Sequence, residues 1–376
     1  MQFNLFTDWN LKSGYPFLMA GPCSAESAEQ VMNTARELKK MNVHLFRAGV
    51  WKPRTRPNSF EGYGEEALKW IAAARLETGI PVTVEVASAA HVELALKYDV
   101  DVMWIGARTM VSPFNVQTIA DALSGTGKSV IVKNPVNPDL ELWIGGIERF
   151  YNSGLKNIAA IHRGFSTYDK SKYRNKPLWE IPMELKRRFP GLPLLCDPSH
   201  IGGKRELLLP LAQKALDLNF DGLMIEVHPT PDDALSDAQQ QITPLEFYHL
   251  LNNLLIRKRN AEGSVAYSSL EELRILIDKL DEHILETLSE RMSYAEKIGA
   301  FKKENGIAIF QPERWNEIVN RVKFLASEKN LSQDLMLKIF DYIHKESIRK
   351  QSNVLYEKNK EVKEDGRPKT EDRSEF

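Results

Sequence analysis

Four side chains able to donate electron pairs to a divalent ion stand far apart in the chain: Cys23, His200, Glu226 and Asp237. A thiolate, an imidazole and two carboxylates make a mixed S/N/O set. That set suits Mn, Fe, Co or Zn and argues against Ca or Mg, which prefer all-oxygen cages. Glu226 ends an apolar run, Leu223-Met224-Ile225, of the kind that forms a strand buried on both faces. A carboxylate there is costly to bury without a partner, and a metal or a cationic ligand would supply one. Five cations, Lys52, Arg54, Arg108, Lys133 and Arg163, follow other apolar runs. Gathered together they would hold a ligand, or two, carrying phosphate and carboxylate charge, with Arg giving bidentate hydrogen bonds and Lys a point charge. Each residue singly has an ordinary reading as a core cysteine, a solvated arginine or an acidic loop. The other cysteine, Cys196, is read as packing.

The elements that must position these residues alternate. Strands are expected at 17–20, 44–48, 82–86, 102–105, 130–132, 158–161, 194–195 and 223–225. Amphipathic helices are expected at 28–40, 64–78, 90–98, 116–122, 143–153, 182–189, 205–218 and 244–255. Eight such units over about 250 residues is the signature of a (β/α)8 TIM barrel, an α/β fold whose strand-following loops share one rim. A doubly wound open sheet would normally carry a glycine-rich phosphate turn after its first strand, where this chain has Gly21-Pro22-Cys23-Ser24. In order, the strand ends carry Cys23, Lys52-Pro53-Arg54-Thr55, Glu85, Arg108, Lys133, His162-Arg163, Asp197 with His200, and Glu226 with Asp237.

The expected organisation is a barrel over 1–256, a polar linker over 257–268, an all-α three-helix domain over 269–356 and a charged, disordered tail over 357–376. The first helix of the second domain, about 268–304, repeats Leu270, Leu273, Ile277, Leu280, Ile284 and Leu288 at three- and four-residue steps until Asn305-Gly306 stops it. A second helix begins at Pro312, and a third runs about 332–356. So long a first helix cannot build a compact core with two partners, so the domain is expected to dimerise, making a homodimer at least.

The chain has 376 residues, 43% of them hydrophobic, and a net charge of -1. That balance offers no field for nucleic acid or a membrane surface. No apolar run approaches the ~20 residues of a membrane span. The N-terminal MQFNLFTDWNLKSGYP lacks the basic-then-apolar pattern of a signal peptide, and two cysteines fit a reducing cytoplasm.

The segments AGPCS at 20–24, FRAGVWKPRT at 46–55, IGAR at 105–108, VKNP at 132–135, HRG at 162–164, DPSHIGGKRE at 197–206 and EVHPTPDDALSD at 226–237 resemble 3-deoxy-D-arabino-heptulosonate 7-phosphate (DAHP) synthases, in the family's order. The resemblance implies condensation of phosphoenolpyruvate with erythrose 4-phosphate, the first step of the shikimate pathway. It implies metal ligation by Cys23, His200, Glu226 and Asp237, a phosphoenolpyruvate cradle of Lys52, Arg108, Lys133 and Arg163, and erythrose phosphate contacts from Arg54 and Thr55. A divalent ion in such a site polarises an aldehyde carbonyl, and Lys52 or a metal-bound water is the candidate proton donor to the developing alkoxide. Arg56, the GARTM segment and His162 depart from the family pattern without deleting a ligand. A related synthase, making 3-deoxy-octulosonate 8-phosphate from arabinose 5-phosphate, uses the same barrel without KPRT. A metal-dependent aldolase or hydrolase unrelated to phosphoenolpyruvate is a remoter alternative.

At 100° per residue, Arg291 and Lys302 differ by about 20° and share one helix face, while Arg274 lies about 100° from Arg291. The segment LEELRILIDKLDEHILETLSERMSYAEKIGAFK, with the later QPERW and ESIRKQ, resembles the all-helical chorismate mutases. That resemblance implies rearrangement of chorismate to prephenate, with Arg274, Arg291, Lys302, Arg314 and Gln351 at binding positions and Arg274 exchanged across a dimer. Where the family often has Glu after the second-helix Arg, this chain has Trp315, with Glu317 two residues on. A second reading makes the domain chiefly a regulatory module that senses prephenate or chorismate and throttles the barrel.

Overall fold

The computed structural model describes residues 1, 3, 15–52, 60–169, 171–257 and 265–356. Two compact units divide the chain, Met1–Asn260 and Ala261–Phe376. In the first, eight parallel strands close into a barrel in chain order: β1 Phe17–Gly21, β2 Leu45–Arg47, β3 Val82–Val86, β4 Val102–Ile105, β5 Ser129–Lys133, β6 Ile158–His162, β7 Leu194–Cys196 and β8 Gly222–Glu226. Closure comes from β8 pairing with β1 over the register Phe17↔Gly222 to Gly21↔Glu226. An open sheet is thereby excluded.

The helices between the strands are α1 Ala28–Lys39, α2 Glu65–Thr78, α3 Ala89–Lys97, α4 Pro113–Leu123, α5 Leu140–Asn152, α6 Glu180–Arg188, α7 Pro198–Gly202, α8 Leu208–Asp217 and α9 Pro244–Asn253. Several start where a side-chain oxygen takes up an orphan backbone N–H. Ser27, Ser88 and Asp139 do so for α1, α3 and α5, and Thr243 with Glu246 forms a capping box on α9. The sequence pattern predicts one helix after β7. The structure instead has two, because Asp197 caps His200 N–H and Pro198 sits at the first helical position, starting the one-turn α7 directly at the strand end. That extra turn carries His200.

Side-chain alternation along the strands decides what reaches the barrel interior. Phe17, Met19, Leu45, Val102, Trp104, Ile131, Ala159, Ile161, Leu195 and Met224 fill the lumen. Their neighbours, among them Phe46, Val84, Val132, Ala160, Cys196, Leu223 and Ile225, pack outward against the helices. Continuing the inward parity by one more step brings Arg47, Glu85, Lys133, Asp197 and Glu226 to the lumen's C-terminal end. Cys196 and His162 fall on the outward parity. Cys196 lies in the helix-facing core, and His162 is caged by Phe165, Trp179 and Phe220.

The second unit holds three helices, α10 Val265–Glu304, α11 Pro312–Glu328 and α12 Gln333–Tyr356. Helix α10 has 40 residues, about 60 Å of helical rise, and starts inside the stretch expected to be linker. It stops at Glu304, two residues before Gly306, which sits in the left-handed region at φ 64°. Contacts between α10 and α12 climb together along both helices: Arg291 with Ser347, Glu296 with Lys350, and Lys303 with Val354. The two helices therefore run parallel. Few described side chains of this unit are buried, among them Ala295, Val322 and Ala326, whereas Leu273, Leu276, Leu280, Ile284 and Leu285 are exposed. No described helix is long and apolar enough to cross a membrane. The expected tail, Arg54, Thr55 and Arg56 lie outside the described residues.

Candidate active sites

At the C-terminal end of the barrel, ligand atoms of Cys23, Glu226 and Asp237 all lie within 4.8 Å of one another. Cys23 sits in the loop after β1, and its Sγ is 3.5 Å from Asp237 Oδ2. His200 is not in this mutual cluster. Its Nε2 lies 3.8 Å from Glu226 Oε1, and its Nδ1 lies 2.8 Å from Asp197 Oδ2. A carboxylate behind one ring nitrogen leaves the other turned to the site, the usual disposition of a metal-binding histidine. Glu226 is fully buried, and its Oε1 accepts no hydrogen bond among the described residues although Arg47 Nη1 stands 3.2 Å away. A buried carboxylate with one oxygen free of hydrogen bonds among the described residues, clustered with a thiol and a second carboxylate, fits the donor set of a divalent metal ion.

Cations surround this cluster. Lys52 Nζ donates to Cys23 Sγ at 2.9 Å and to the Cys23 carbonyl. A Cβ on Gly49 would meet that carbonyl at 2.5 Å and Lys52 Nζ at 2.8 Å, so only glycine lets the lysine reach back. Lys133 Nζ pairs with Asp197 Oδ2 at 2.8 Å inside the lumen. Arg163 is buried and Arg108 exposed, and neither makes an ion pair among the described residues. Arg163 follows β6, in reach of the fields of Asp197, Arg108 and Glu85. Gly106 makes room for the Glu85 carboxylate, which a Cβ would approach to 1.9 Å.

The titrating groups are set in opposite directions. Burial, aided by Glu226, pushes the Cys23 thiol up to about 12. Burial also opposes ionisation of Glu226 and Asp237, but their neighbours prevail and hold both carboxyls below their ordinary range: the His200 ring and the cations Arg47 and Lys52 for Glu226, the His200 ring and the cations Arg174 and Lys52 for Asp237. Burial lowers His200, which favours the neutral imidazole that binds metals. Arg163 is drawn down to about 10 by burial and stays cationic at neutral pH.

The helical unit gathers a second set. Arg291 Nη1 donates to Ser347 Oγ at 2.5 Å, and Lys302 Nζ donates to the Ile309 carbonyl at 2.6 Å. Gln351 is buried with its Oε1 unsatisfied among the described residues, and Gly299 lets α10 approach it, since a Cβ there would come 2.9 Å from Gln351 Cα. Arg274 and Arg314 take no part in these contacts. Both are exposed and pair along their own helices, with Glu271 and Glu317 respectively. Trp315 stacks on His344, ring centroids 4.2 Å apart, and the buried Nε2 of His344 has no hydrogen-bond partner among the described residues.

Residues 12–261 match the family model described as the DAHP synthetase I family. The chain belongs to that family. Residues 273–352 match chorismate mutase type II, so the DAHP synthase barrel is fused to a chorismate mutase domain. The phospho-2-dehydro-3-deoxyheptonate aldolase of Thermotoga maritima is 34% identical over 235 residues, 62% of this chain and 68% of its own. The 2-dehydro-3-deoxyphosphooctonate aldolase of Caulobacter vibrioides is 28% identical over 258 residues, 63% of this chain and 86% of its own. The crystal structure of the Thermotoga maritima DAHP synthase superposes with a TM-score of 0.60 at 31% identity, covering 67% of this chain and 72% of that one. A truncated form of the Thermotoga maritima enzyme gives 0.58 at 29% identity, covering 67% and 90%.

In this DAHP synthase fold several working contacts come from residues that motif spacing does not single out. Arg47 reaches Glu226, the Cys23 carbonyl and the face of Trp104. Inward parity on β2 was the available signal for it. Gln240, Gln241 and Arg174 come from loops, and nothing in their spacing points to the metal cluster. Ser347 stands one helical turn before Gln351, a spacing that could have exposed it.

Proposed function

We propose that the barrel condenses phosphoenolpyruvate with erythrose 4-phosphate to DAHP and phosphate in a metal-dependent reaction, and that the helical domain converts chorismate to prephenate. The observation that carries the first half is the Cys23–Glu226–Asp237 cluster at a cation-bearing barrel rim. Cys23, His200, Glu226 and Asp237 would hold a divalent ion of the Mn, Fe, Co or Zn class. That ion would supply Lewis-acid polarisation of a carbonyl oxygen. Lys133 and Arg163, buried in the lumen, and Lys52 and Arg108, nearer the rim, would bind phosphate and carboxylate charge, fix phosphoenolpyruvate in the dry interior and receive the departing phosphate. Arg54 and Thr55 complete the reading as contacts for the second phosphate. Lys52 Nζ, held at Cys23, is in reach of an oxygen bound beside that thiolate and is the proposed proton donor.

Relatives that make the octulosonate are 28–30% identical, so the choice of aldehyde is the discriminating measurement. With phosphoenolpyruvate present, phosphate release is expected with erythrose 4-phosphate and to be at least tenfold slower with arabinose 5-phosphate. The reverse preference would overturn the assignment. Lys52→Met is expected to lower kcat by ~10²–10³, and full kcat would remove Lys52 from the donor role.

The second half rests on Arg291 and Gln351 at the contact of α10 with α12, and on Lys302, whose Nζ reaches the Ile309 carbonyl just beyond α10. Chorismate's rearrangement moves no proton, so fixed charge and shape suffice. Arg274 is 17 residues from Arg291 along one straight helix, about 25 Å of rise, and cannot serve the same site. The exposed leucine and isoleucine stripe beginning at Leu273 points to a second copy, whose Arg274 would complete the site. Leu280→Asp is expected to give monomers in sedimentation and to cut chorismate conversion by about 10² or more, leaving DAHP formation within twofold. A monomer with full mutase activity would sink this arrangement.

A further inference from the structure

Gln240 is nearly fully buried in the loop after β8 and uses both ends of its amide. Its Nε2 donates to Glu226 Oε2 at 2.6 Å, and its Oε1 accepts from Arg174 Nη1 at 2.7 Å. The orientation is dictated chemically, because a guanidinium only donates and a carboxylate only accepts, so a flipped amide would lose both bonds. The same Arg174 Nη1 also donates to Asp237 Oδ1 at 3.0 Å. One oxygen of each carboxylate is thus taken from behind. The other oxygens behave differently. Glu226 Oε1 accepts no hydrogen bond among the described residues, its contact with Arg47 Nη1 at 3.2 Å being an ion pair only, and Asp237 Oδ2 faces Cys23 Sγ at 3.5 Å.

We infer that Arg174 and Gln240 form a belt of positioning residues that reserves a single oxygen of Glu226 and of Asp237 for the metal ion and keeps the second from binding. The inference rests on the metal reading above. Its consequence is a low coordination number. A site in which both carboxylates chelated would fill its coordination sphere, whereas one oxygen each leaves room for a substrate oxygen. Asp237 itself sits at φ 50°, in the left-handed region, so its backbone is held by the surrounding loop rather than by local preference. Gln241 secures the other side: its Oε1 accepts from Cys23 N–H and its Nε2 donates to the Ser236 carbonyl.

The test uses Co(II) on the full-length protein, read by visible absorption and by competition titration against a chelator. Four- and five-coordinate Co(II) absorbs strongly in the visible, six-coordinate Co(II) weakly, and a thiolate ligand adds a near-ultraviolet charge-transfer band. In Gln240→Met the amide is replaced by an apolar chain of similar length. Co(II) affinity is expected to fall by about 10–100-fold, the visible bands to weaken as Glu226 chelates, and the thiolate band to persist. The KM for phosphoenolpyruvate should stay within twofold. Arg174→Met should shift affinity and bands in the same direction, and Arg174→Lys should restore part of the loss. Because Arg174 is partly exposed, its variants carry the test should Gln240→Met fail to fold. Wild-type affinity and wild-type band intensity in the folded variants overturn the belt. Absence of a thiolate band in the parent protein overturns the metal reading instead.

Discussion

Cys23→Ser is expected to reduce divalent-metal affinity by about 10³ and DAHP formation by at least as much, while chorismate conversion stays unchanged. Two of the four donors are already in the form a metal requires. Arg47, Arg174 and Lys52 help keep Glu226 and Asp237 ionised, and burial lowers the proton affinity of His200. The thiol is the opposite case, held protonated up to about 12 by burial and by Glu226. Binding must therefore expel one proton, whether it leaves from Sγ or through the adjoining Lys52 Nζ. The sign follows: raising the pH strengthens binding, by about tenfold per unit between pH 6.5 and 8.5. Calorimetry in buffers of different ionisation heat should count one proton released in the parent and none in Cys23→Ser, whose hydroxyl cannot ionise in this range. A parent that binds metal with pH-independent affinity would contradict the thiolate's part. The same raised thiol affects the metal-free fold. Its contribution to stability is complete below the unfolded-state value near 8.5 and is lost as pH climbs toward about 12.

Strand number and order were readable because β-strands buried on both faces leave short apolar runs, and those runs punctuate the chain at regular intervals. The strand ends were readable for the same reason, since a charge directly after such a run must have a purpose. This is how Lys133, Asp197 and Glu226 could be singled out from sequence. What spacing does not carry is which loop folds over which strand. Gln240 bonds Glu226 only because the segment after β8 turns back across the barrel mouth, and Arg174 joins it from the β6–α6 loop. The additional turn α7 was hidden because Pro198 reads equally well as a breaker or as the first residue of a helix. In the helical unit, periodicity revealed α10 and its unsatisfied apolar face. It could not reveal that Trp315, noted as a departure from the family pattern, stacks on His344.

Arg291→Ala is expected to slow chorismate conversion by about 10³ in kcat/KM, with phosphate release by the barrel unaltered. A pericyclic step involves no acid–base chemistry, which leaves binding geometry and charge as the only levers. Arg291 is half-buried, and burial lowers its proton affinity below the ordinary arginine range without threatening its charge at neutral pH. Its Nη1 is fixed by Ser347 Oγ, and that hydroxyl in turn donates to the Ile343 carbonyl. One guanidinium edge is therefore anchored to α12, leaving the other free for a carboxylate. Truncation removes the charge itself, whereas Ser347→Ala removes only the anchor. The serine variant should accordingly lose about 10-fold, mostly in kcat, because orientation is relaxed while attraction persists. Lys302 adds a pH signature. Burial lowers its proton affinity, so kcat/KM should decline on the alkaline side before an ordinary lysine would titrate, and Lys302→Arg should move that decline to higher pH. An Arg291→Ala protein that kept mutase activity within tenfold of the parent would show that the α10–α12 contact around Arg291 is not where chorismate reacts.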